Sequence, residues 1–218
     1  MKLIGLTGGI GAGKSTVSAR LRDRGAVVVD ADAITKELQQ PGTEVFAAMV
    51  ARWGDRILAA DGTLDRQAVA GIVFNDPEEL QALNAIVHPA VGVEIFRRIE
   101  EQTATDNVVV LDIPLLVEGG RYKVGGVLVV DTPVEVAVRR LVELRGMDEA
   151  DARARIANQV SREERVAKAD MVVDNGGTQS DLDEQMDDVW AWIRSRPDWA
   201  SPESLSSGGR PPDVTPGS

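Results

Sequence analysis

The segment GGIGAGKS at positions 8–15 constrains this chain more than any other feature. It fits the pattern G-x-x-x-x-G-K-[ST], whose defining positions are Gly8, Gly13, Lys14 and Ser15. After an apolar run such as Leu3–Thr7, this pattern is typical of a phosphate-binding loop, or P-loop. Its glycines let successive backbone N–H groups point at phosphate oxygens, and the positive end of the dipole of the following helix faces the same phosphates. We therefore expect a nucleotide site in which Lys14 reaches the β- and γ-phosphates and Ser15 holds Mg²⁺.

A P-loop occurs in kinases, GTPase switches and ATPase motors, so the motif alone leaves the class of protein open. A GTPase switch would need an N-K-x-D segment to hold guanine, and no asparagine of this chain is followed by lysine. The only D-x-x-G segment, Asp174–Gly177, comes late in the chain instead of soon after the P-loop. These observations favour a kinase over a nucleotide-dependent switch.

Composition limits the metal sites that the chain can build. It has no cysteine and one histidine, His88, which excludes thiolate sites and multi-histidine zinc sites. Any metal must be held by oxygen atoms, as Mg²⁺ is. With 218 residues, of which 43% are apolar, the chain can form one domain with an insertion or two small domains.

Charge and hydropathy indicate small-molecule partners. The net charge of −11 disfavours nucleic-acid binding, which requires a basic surface. No apolar run approaches the ~20 residues that cross a bilayer, and the first strand leaves no room for a signal peptide, so neither a membrane nor secretion is indicated. We expect a cytoplasmic protein.

Five short apolar runs alternate with helical stretches, which predicts an α/β protein with a five-stranded parallel sheet flanked by helices. The runs are Leu3–Thr7, Ala26–Val29, Val108–Leu111, Val127–Val130 and Met171–Val173. Ligands of such sheets bind at the carboxyl ends of the strands. The P-loop and five further polar residues are expected at that edge: Asp30, Asp32, Asp112, Asp131 and Asn175.

The spacing between the second and third strands exceeds a single crossover helix, so we predict a helical insertion over 32–106 that binds the acceptor substrate. Its expected helices are Thr43–Trp53, Asp65–Phe74, Pro77–Ile86 and Pro89–Gln102. The segment 139–168 carries eight of the 24 basic residues and breaks at Gly146 and near Ser161, which is typical of a helical lid over phosphates. A solvated helical face with local ion pairs is the alternative for any one of its arginines.

The remaining segments complete the predicted domain. The core of the kinase domain 1–196 comprises 1–31, 107–138 and 169–196, and it ends in an amphipathic helix over 178–194 that packs Leu182, Met186, Val189 and Ile193 on the sheet. In the segment 197–218, 13 of 22 residues are Pro, Gly or Ser. This composition predicts a disordered tail or a linker.

Paired carboxylates after the second strand are the best candidates for acid–base chemistry. Asp30 and Asp32 are two residues apart, so on an extended chain both point to the same side. A phosphoryl-transfer enzyme needs one carboxylate to take the proton of the acceptor hydroxyl and often another to orient magnesium waters. The alternative is that one of them caps the next helix. Asp112 ends an apolar strand as a Walker-B-like magnesium ligand does, or it is an ordinary loop carboxylate.

Eight segments in order resemble the dephospho-CoA kinase family, from Lys2 to about Arg194. They are LTGGIGAGKST, VVDADAI, TLDRQAV, IVFNDPEELQALNAIVHP, VVLDIPLLVE, RRLVELRG, RARIANQ and ADMVVDNGG. The resemblance implies a P-loop kinase fold and transfer of phosphate from ATP, with Mg²⁺, to the 3′-hydroxyl of dephospho-CoA, the final step of coenzyme A synthesis.

The resemblance also implies roles for individual residues. Those assigned to ATP phosphates are Gly11, Ala12, Gly13, Lys14, Ser15 and Thr16. Asp32 is implied to be the general base, Arg140 to bind the transferring phosphate and Asn175 to lie near adenine. His88 and Asp112 are implied to lie by dephospho-CoA.

Two features depart from the family pattern. Val117, shortly after Pro114, stands where a bulkier aromatic residue is expected in the wall of the acceptor pocket. The tail is foreign to the shortest family members, and some bacterial relatives carry a further C-terminal domain, so the tail is either a natural end or a truncated linker. A kinase for another small acceptor, such as a nucleoside or a shikimate-like alcohol, is the remaining alternative.

Overall fold

A computed structural model of the chain describes residues 1–113 and 123–199. These residues form two compact units. The first, the core unit, contains Met1–Val29 and the chain from Glu101 onward, and the second, the insertion unit, is Asp30–Glu100. Pro114 and Val117, two residues of the sequence interpretation, lie outside the described residues.

Five strands form one parallel sheet, in the order β2-β3-β1-β4-β5. They are β1 (Lys2–Gly8), β2 (Val27–Asp30), β3 (Val108–Asp112), β4 (Val127–Asp131) and β5 (Met171–Asp174). Leu6 pairs with Asp112 of β3 on one side and with Leu128 of β4 on the other. All five predicted strands are confirmed. The central strands β3, β1 and β4 are buried almost throughout, as continuous apolar runs predict, whereas the edge strands β2 and β5 are partly exposed.

Nine α-helices lie within the described residues. They are α1 (Lys14–Asp23), α2 (Ala31–Leu38), α3 (Glu44–Trp53), α4 (Arg66–Val73), α5 (Pro77–Glu100), α6 (Val134–Arg145), α7 (Glu149–Ala157), α8 (Arg162–Ala167) and α9 (Gln179–Ser195). In 1–113 and 123–199, no helix combines the length and the apolar composition that crossing a bilayer requires.

Helix α9 covers the sheet with the apolar face that its periodicity predicts. A capping box closes its amino end, where the Thr178 hydroxyl accepts from the Asp181 N–H and the Asp181 carboxylate accepts from the Thr178 N–H. Leu182, Met186, Val189 and Ile193 are all buried in the same cluster as Ile4 and Leu128. Each such side chain stabilises the fold by about 1.5–3 kcal/mol of apolar burial, so this helix is part of the core.

The insertion unit has its own core around α3, α4 and α5, in which Met49, Trp53 and Ile57 are buried. Two helices were expected over 77–102, one beginning at Pro89, and this is wrong: α5 runs without interruption through Pro89. Pro89 cannot donate to the carbonyl four residues earlier, at Ala85, but both residues are exposed, so water can satisfy that carbonyl. Burial of Val87 and Ile95 on either side stabilises the continuous helix.

The carboxylate pair after β2 differs from the expected extended geometry. The strand ends at Asp30 and α2 begins at the next residue, so Asp32 lies in the first turn of a helix. Asp30 is the N-cap: its Oδ1 accepts from the N–H groups of Asp32 (2.9 Å) and Ala33 (3.0 Å). The argument that the two carboxylates share one side of a strand is therefore wrong, and Asp30 has the capping role given as the alternative.

Three helices form the arginine-rich segment, with the predicted breaks at Gly146 and before Arg162. Gly146 has φ 63°, the left-handed conformation that ends α6 at a residue without a side chain. The predicted boundary between core and lid at 138/139 falls inside α6, which runs from Val134 to Arg145. Arg140 is therefore carried on a helix that begins directly after β4.

The chain after α9 packs onto the start of β1. The Trp199 N–H donates to the Met1 carbonyl (2.8 Å), and the indole Nε1–H donates to the Lys123 carbonyl (2.9 Å). Trp199 is 9% exposed. Asp198 forms an ion pair with Lys2 at 3.0 Å. Residues 197–199 thus belong with the core, so the packed chain extends past position 197, where the sequence predicted the tail to begin.

We predict that Trp199→Ala lowers the melting temperature by at least ~4 °C. Loss of a large buried ring costs a few kcal/mol, and each kcal/mol shifts the melting temperature of a chain of this size by about 2–4 °C. Asp198→Ala is the matched control: its side chain is 73% exposed, so the change should stay below about 2 °C. Equal melting temperatures for Trp199→Ala and wild type, measured by calorimetry, would contradict this docking.

Candidate active site

The P-loop connects β1 to α1 and has room only for glycine at several positions. Gly11 and Gly13 have φ 76° and 83°, which side-chain-bearing residues rarely adopt. A Cβ at Gly11 would lie 2.8 Å from the Ala137 carbonyl oxygen, and one at Gly8 would lie 2.9 Å from the Val130 carbonyl oxygen. The loop therefore packs directly on β4 and α6, and the glycines of the motif are required by close approach as well as by conformation.

Lys14, the first residue of α1, forms an ion pair with the Oδ1 of Asp112 at the end of β3. The other carboxylate oxygen of Asp112 accepts from the Ser18 hydroxyl at 2.5 Å. Asp112 is 2% exposed, so both of its oxygens are occupied in a nearly dry environment. This pairing compensates the buried carboxylate and holds the lysine at the carboxyl edge of the sheet.

The Ala12 carbonyl, in the middle of the P-loop, has three candidate donors. The Asn175 Nδ2 lies at 2.8 Å, the Thr132 Oγ1 at 3.1 Å and an Arg140 guanidinium nitrogen at 3.4 Å. Asn175 follows β5, Thr132 follows β4 and Arg140 lies on α6. The structure thus brings Asn175 and Arg140, two residues singled out in the sequence, to the backbone of the P-loop.

The arginine-rich segment contacts the outer side of the P-loop. The Ile10 N–H donates to the Gln159 Oε1 at 2.9 Å, and the Ile10 side chain packs beside Leu141 and Ala152. Arg162 binds Asp131 at the end of β4, with its Nε at 2.8 Å from Oδ1. This guanidinium lowers the pKa of the Asp131 carboxyl below its usual range through hydrogen bonds and charge.

A cavity of about 470 Å³ lies between the P-loop and these helices. Its lining includes Gly9, Thr132, Ser161 and Arg165. The cavity opens at the carboxyl ends of β1 and β4, the edge at which parallel sheets bind their ligands. Glycine backbone on one side and arginine on the other suit a negatively charged group.

The remaining predicted residues divide between the two units. Ser15 and Thr16 follow Lys14 in the first turn of α1, and the Ser15 side chain is exposed. Asp32 and His88 belong to the insertion unit, where both are exposed, the latter on α5. Their implied roles toward the acceptor remain predictions.

Sequence reasoning missed three residues of this site. Gln159, Arg162 and Thr132 contact the P-loop or the strand end beside it, each from a distant part of the chain. Gln159 and Arg162 lay within the segment interpreted as a lid, but nothing in their spacing indicated a partner. For Thr132 the sequence contained one weak indication of a site, namely its position directly after a strand that ends in an acidic residue.

A family model described as dephospho-CoA kinase matches residues 2–181. The chain belongs to the dephospho-CoA kinase family. A curated dephospho-CoA kinase from Streptomyces avermitilis is 51% identical over 192 residues, which cover 88% of this chain and 93% of that protein. Membership makes this chain a kinase and confirms the family resemblance inferred from the eight segments.

Solved structures support the same fold. The crystal structure of TT1252 from Thermus thermophilus superimposes with a TM-score of 0.73 at 36% identity, covering 88% of this chain and 97% of that one. A dephospho-CoA kinase from Campylobacter jejuni has a TM-score of 0.63 at 24% identity, with the same coverage of the two chains. The likeness to the second is a likeness of fold, and it confirms the predicted P-loop kinase architecture.

We predict two separable effects of Lys14→Ala. Phosphoryl transfer should fall at least ~10²-fold, because the lysine neutralises charge on the phosphates as the bond breaks. The melting temperature should also fall, because Asp112 is left buried without its cation. Adding Asp112→Asn should restore most of the stability and none of the activity.

Activity and calorimetry read these effects independently. Wild-type turnover in Lys14→Ala would contradict the role of the lysine at the phosphates. An unchanged melting temperature in the single variant would contradict the structural importance of the ion pair.

Proposed function

We propose that this kinase transfers the γ-phosphoryl group of ATP to the 3′-hydroxyl of dephospho-CoA, giving coenzyme A and ADP. The observation that carries the proposal is a P-loop whose lysine is held by a buried strand-end carboxylate, in a chain of the dephospho-CoA kinase family. The P-loop accounts for the donor. Family membership supports the choice of acceptor.

The triphosphate would bind to the backbone N–H groups of 11–16 at the amino end of α1. Two conditions for this are present, namely positive φ at Gly11 and Gly13 and the aligned peptide dipoles of a ten-residue helix. Lys14 would move from Asp112 toward the phosphates or share its charge between them. Because Asp112 also accepts from Ser18, it keeps one partner when the lysine turns to the nucleotide.

The donor set fits a magnesium ion bound mainly through phosphate oxygens and water. Within the described residues no group of three or more His, Cys, Asp or Glu side chains is placed to hold a metal by itself. Mg²⁺ commonly uses one or two protein ligands together with substrate phosphates. The exposed Ser15 hydroxyl in the first turn of α1 would be that ligand, and the ion would supply charge neutralisation on the phosphates.

Asp32 would activate the hydroxyl group of the acceptor. A ribose hydroxyl is a weak nucleophile, and a carboxylate within hydrogen-bond reach both aligns it and takes its proton as transfer proceeds. Asp30 is committed as the N-cap of α2, while the exposed carboxylate of Asp32 lies one residue inside that helix. We propose His88 and Asp112 as further contacts to dephospho-CoA, the latter through the carboxylate oxygen that Lys14 releases when it turns to the phosphates.

Arg140 would stabilise the transferring phosphate. It lies on α6 with a guanidinium nitrogen 3.4 Å from the Ala12 carbonyl oxygen, at the P-loop itself. That contact is long for a hydrogen bond, so turning to a phosphate would cost the arginine little. Arg162, in contrast, is engaged in a two-pronged pair with Asp131.

We predict that the wild-type protein releases ADP from ATP rapidly with dephospho-CoA and at background rates with adenosine, shikimate or no acceptor. The expected selectivity rests on membership of the dephospho-CoA kinase family and on the segments of the insertion that resemble it. A coupled ADP-release assay with matched acceptor concentrations measures it. Equal rates with dephospho-CoA and with no acceptor, or faster turnover of shikimate or a nucleoside, would overturn the proposed acceptor.

We predict that Asp32→Asn keeps the fold and ATP binding and loses ~10²- to 10⁴-fold in turnover, the usual contribution of general acid–base catalysis. Asp30→Asn is the matched control, because asparagine caps helices as well as aspartate does and should preserve α2. Both variants are compared at saturating ATP and dephospho-CoA. Turnover of Asp32→Asn within threefold of wild type, or greater damage in Asp30→Asn, would contradict the assignment.

A further inference from the structure

The Asn175 side chain is directed at one peptide group of the P-loop. Its Nδ2 donates to the Ala12 carbonyl at 2.8 Å, and its own backbone N–H donates to the Asp131 carbonyl at 2.8 Å. Asn175 is 3% exposed, and its Oδ1 is buried without a hydrogen-bond partner among the described residues. Reversing the amide would bring two oxygens into contact, so the donor orientation is the one that the site requires.

The position of this hydrogen bond determines where the next N–H points. In a trans peptide the carbonyl of one residue and the N–H of the following residue lie on opposite sides of the bond. Donors that hold the Ala12 carbonyl toward β4 and β5 therefore direct the Gly13 N–H away from those strands. That N–H is one of the backbone donors of the P-loop motif.

The fit between Asn175 and the loop is close. A Cβ at Gly13 would lie 2.1 Å from the Asn175 Nδ2, so any side chain at position 13 would displace the amide. Gly25 shows the contrast: its φ of 93° is similar, yet nothing lies within 4 Å of the Cβ position. Glycine at position 13 is thus required by the contact with Asn175 as well as by φ.

Thr132 supplies a second donor to the same carbonyl. The Thr132 hydroxyl oxygen lies 3.1 Å from the Ala12 carbonyl oxygen and 2.7 Å from the Asp131 carbonyl oxygen. Because a hydroxyl has one proton, it divides its hydrogen bond between these two acceptors. The Asp131 carbonyl also accepts from the Asn175 backbone. The ends of β4 and β5 are therefore joined to each other and to the P-loop through these two residues.

We infer that Asn175, assisted by Thr132, is a positioning residue for the phosphates of the nucleotide: it sets the plane of the Ala12–Gly13 peptide. This inference rests on the proposed function for the identity of the nucleotide. It assigns Asn175 an effect on phosphate affinity that does not depend on the nucleotide base. The family resemblance, in contrast, implies a place near adenine. The residue acts through the backbone of the P-loop and touches no reacting atom.

Three ligands separate the two roles. Binding of ATP, inosine triphosphate and inorganic tripolyphosphate to the whole protein, without acceptor, is measured by calorimetry at one magnesium concentration. Asn175→Leu has nearly the same shape, no charge and no donor, so it removes the shortest hydrogen bond to the Ala12 carbonyl and leaves the longer contacts from Thr132 and Arg140. We expect all three ligands to bind at least ~5-fold more weakly, by the same factor, because the Ala12 carbonyl has lost its closest donor and its peptide plane is no longer fixed by it.

Further variants keep the test decisive if Asn175→Leu does not fold. Asn175→Ala removes the same donor with less steric demand and should show the same equal loss. Thr132→Val should show a smaller equal loss that Thr132→Ser restores. Asn107→Ala is the matched control and should leave all three affinities unchanged, since the exposed side-chain amide of Asn107 donates to Gln102, away from the P-loop.

Kinetics give a second readout. The KM for ATP should rise in Asn175→Leu or Asn175→Ala while the KM for dephospho-CoA stays unchanged. Loss confined to ATP, with tripolyphosphate binding intact, would overturn the inference and assign Asn175 to the base. Unchanged affinity for all three ligands would overturn it as well. Failure of the wild-type protein to phosphorylate dephospho-CoA would contradict the proposed function and leave the tripolyphosphate comparison valid.

Discussion

The ion pair between Lys14 and Asp112 joins the two parts of the chain that a phosphoryl-transfer site needs. Lys14 begins the helix after the P-loop, and Asp112 ends the strand beside β1. Asp112 is almost completely buried, so without the lysine a charged group would lie in an environment of low polarity. The same contact therefore stabilises the sheet edge and keeps the lysine at the position where the proposed function requires a cation for the phosphates.

The shape of the P-loop is determined by what packs around it as much as by its glycines. Positive φ at Gly11 and Gly13 permits the curve of the loop, but many glycines are equally free. The carbonyls of Val130 and Ala137 approach the loop so closely that they exclude side chains there. A flexible sequence thus adopts one conformation because β4, β5 and α6 surround it.

The sequence predicted those features that depend on local pattern. The five strands could be predicted because they are short runs rich in apolar, β-branched residues, and the apolar face of α9 because its apolar residues recur at helical spacing. The P-loop was visible because its function needs particular residue types at fixed spacing. The family resemblance then added an acceptor that no local pattern could supply.

The features that the sequence did not predict depend on competition between local options. Asp30 could continue a strand or cap a helix. It caps α2 because its carboxylate accepts from two backbone N–H groups of the first helical turn. Pro89 predicts the start of a helix, but α5 continues through it, because packing of the neighbouring apolar side chains stabilises the helix more than one missing hydrogen bond destabilises it. Trp199 lies in a segment of tail-like composition, and its buried indole, with one hydrogen bond from the ring and one from the backbone N–H, is enough to anchor it.

Charges in the arginine-rich segment show why a count of basic residues is a poor measure of phosphate binding. Arg162 is balanced by Asp131, whose pKa it lowers, and Arg153 by Glu135 and Glu149. These pairs connect the helices to the sheet and to one another, so they stabilise a position more than they attract an anion. Arg140 differs, because its contact with the Ala12 carbonyl places it at the P-loop without neutralising its charge. Arg165 shares this property, since its guanidinium donates to the Val160 carbonyl and lines the cavity. The arginines best able to meet a phosphate are therefore those whose present partners are uncharged carbonyls, and the surrounding ion pairs keep the helices that carry them in place.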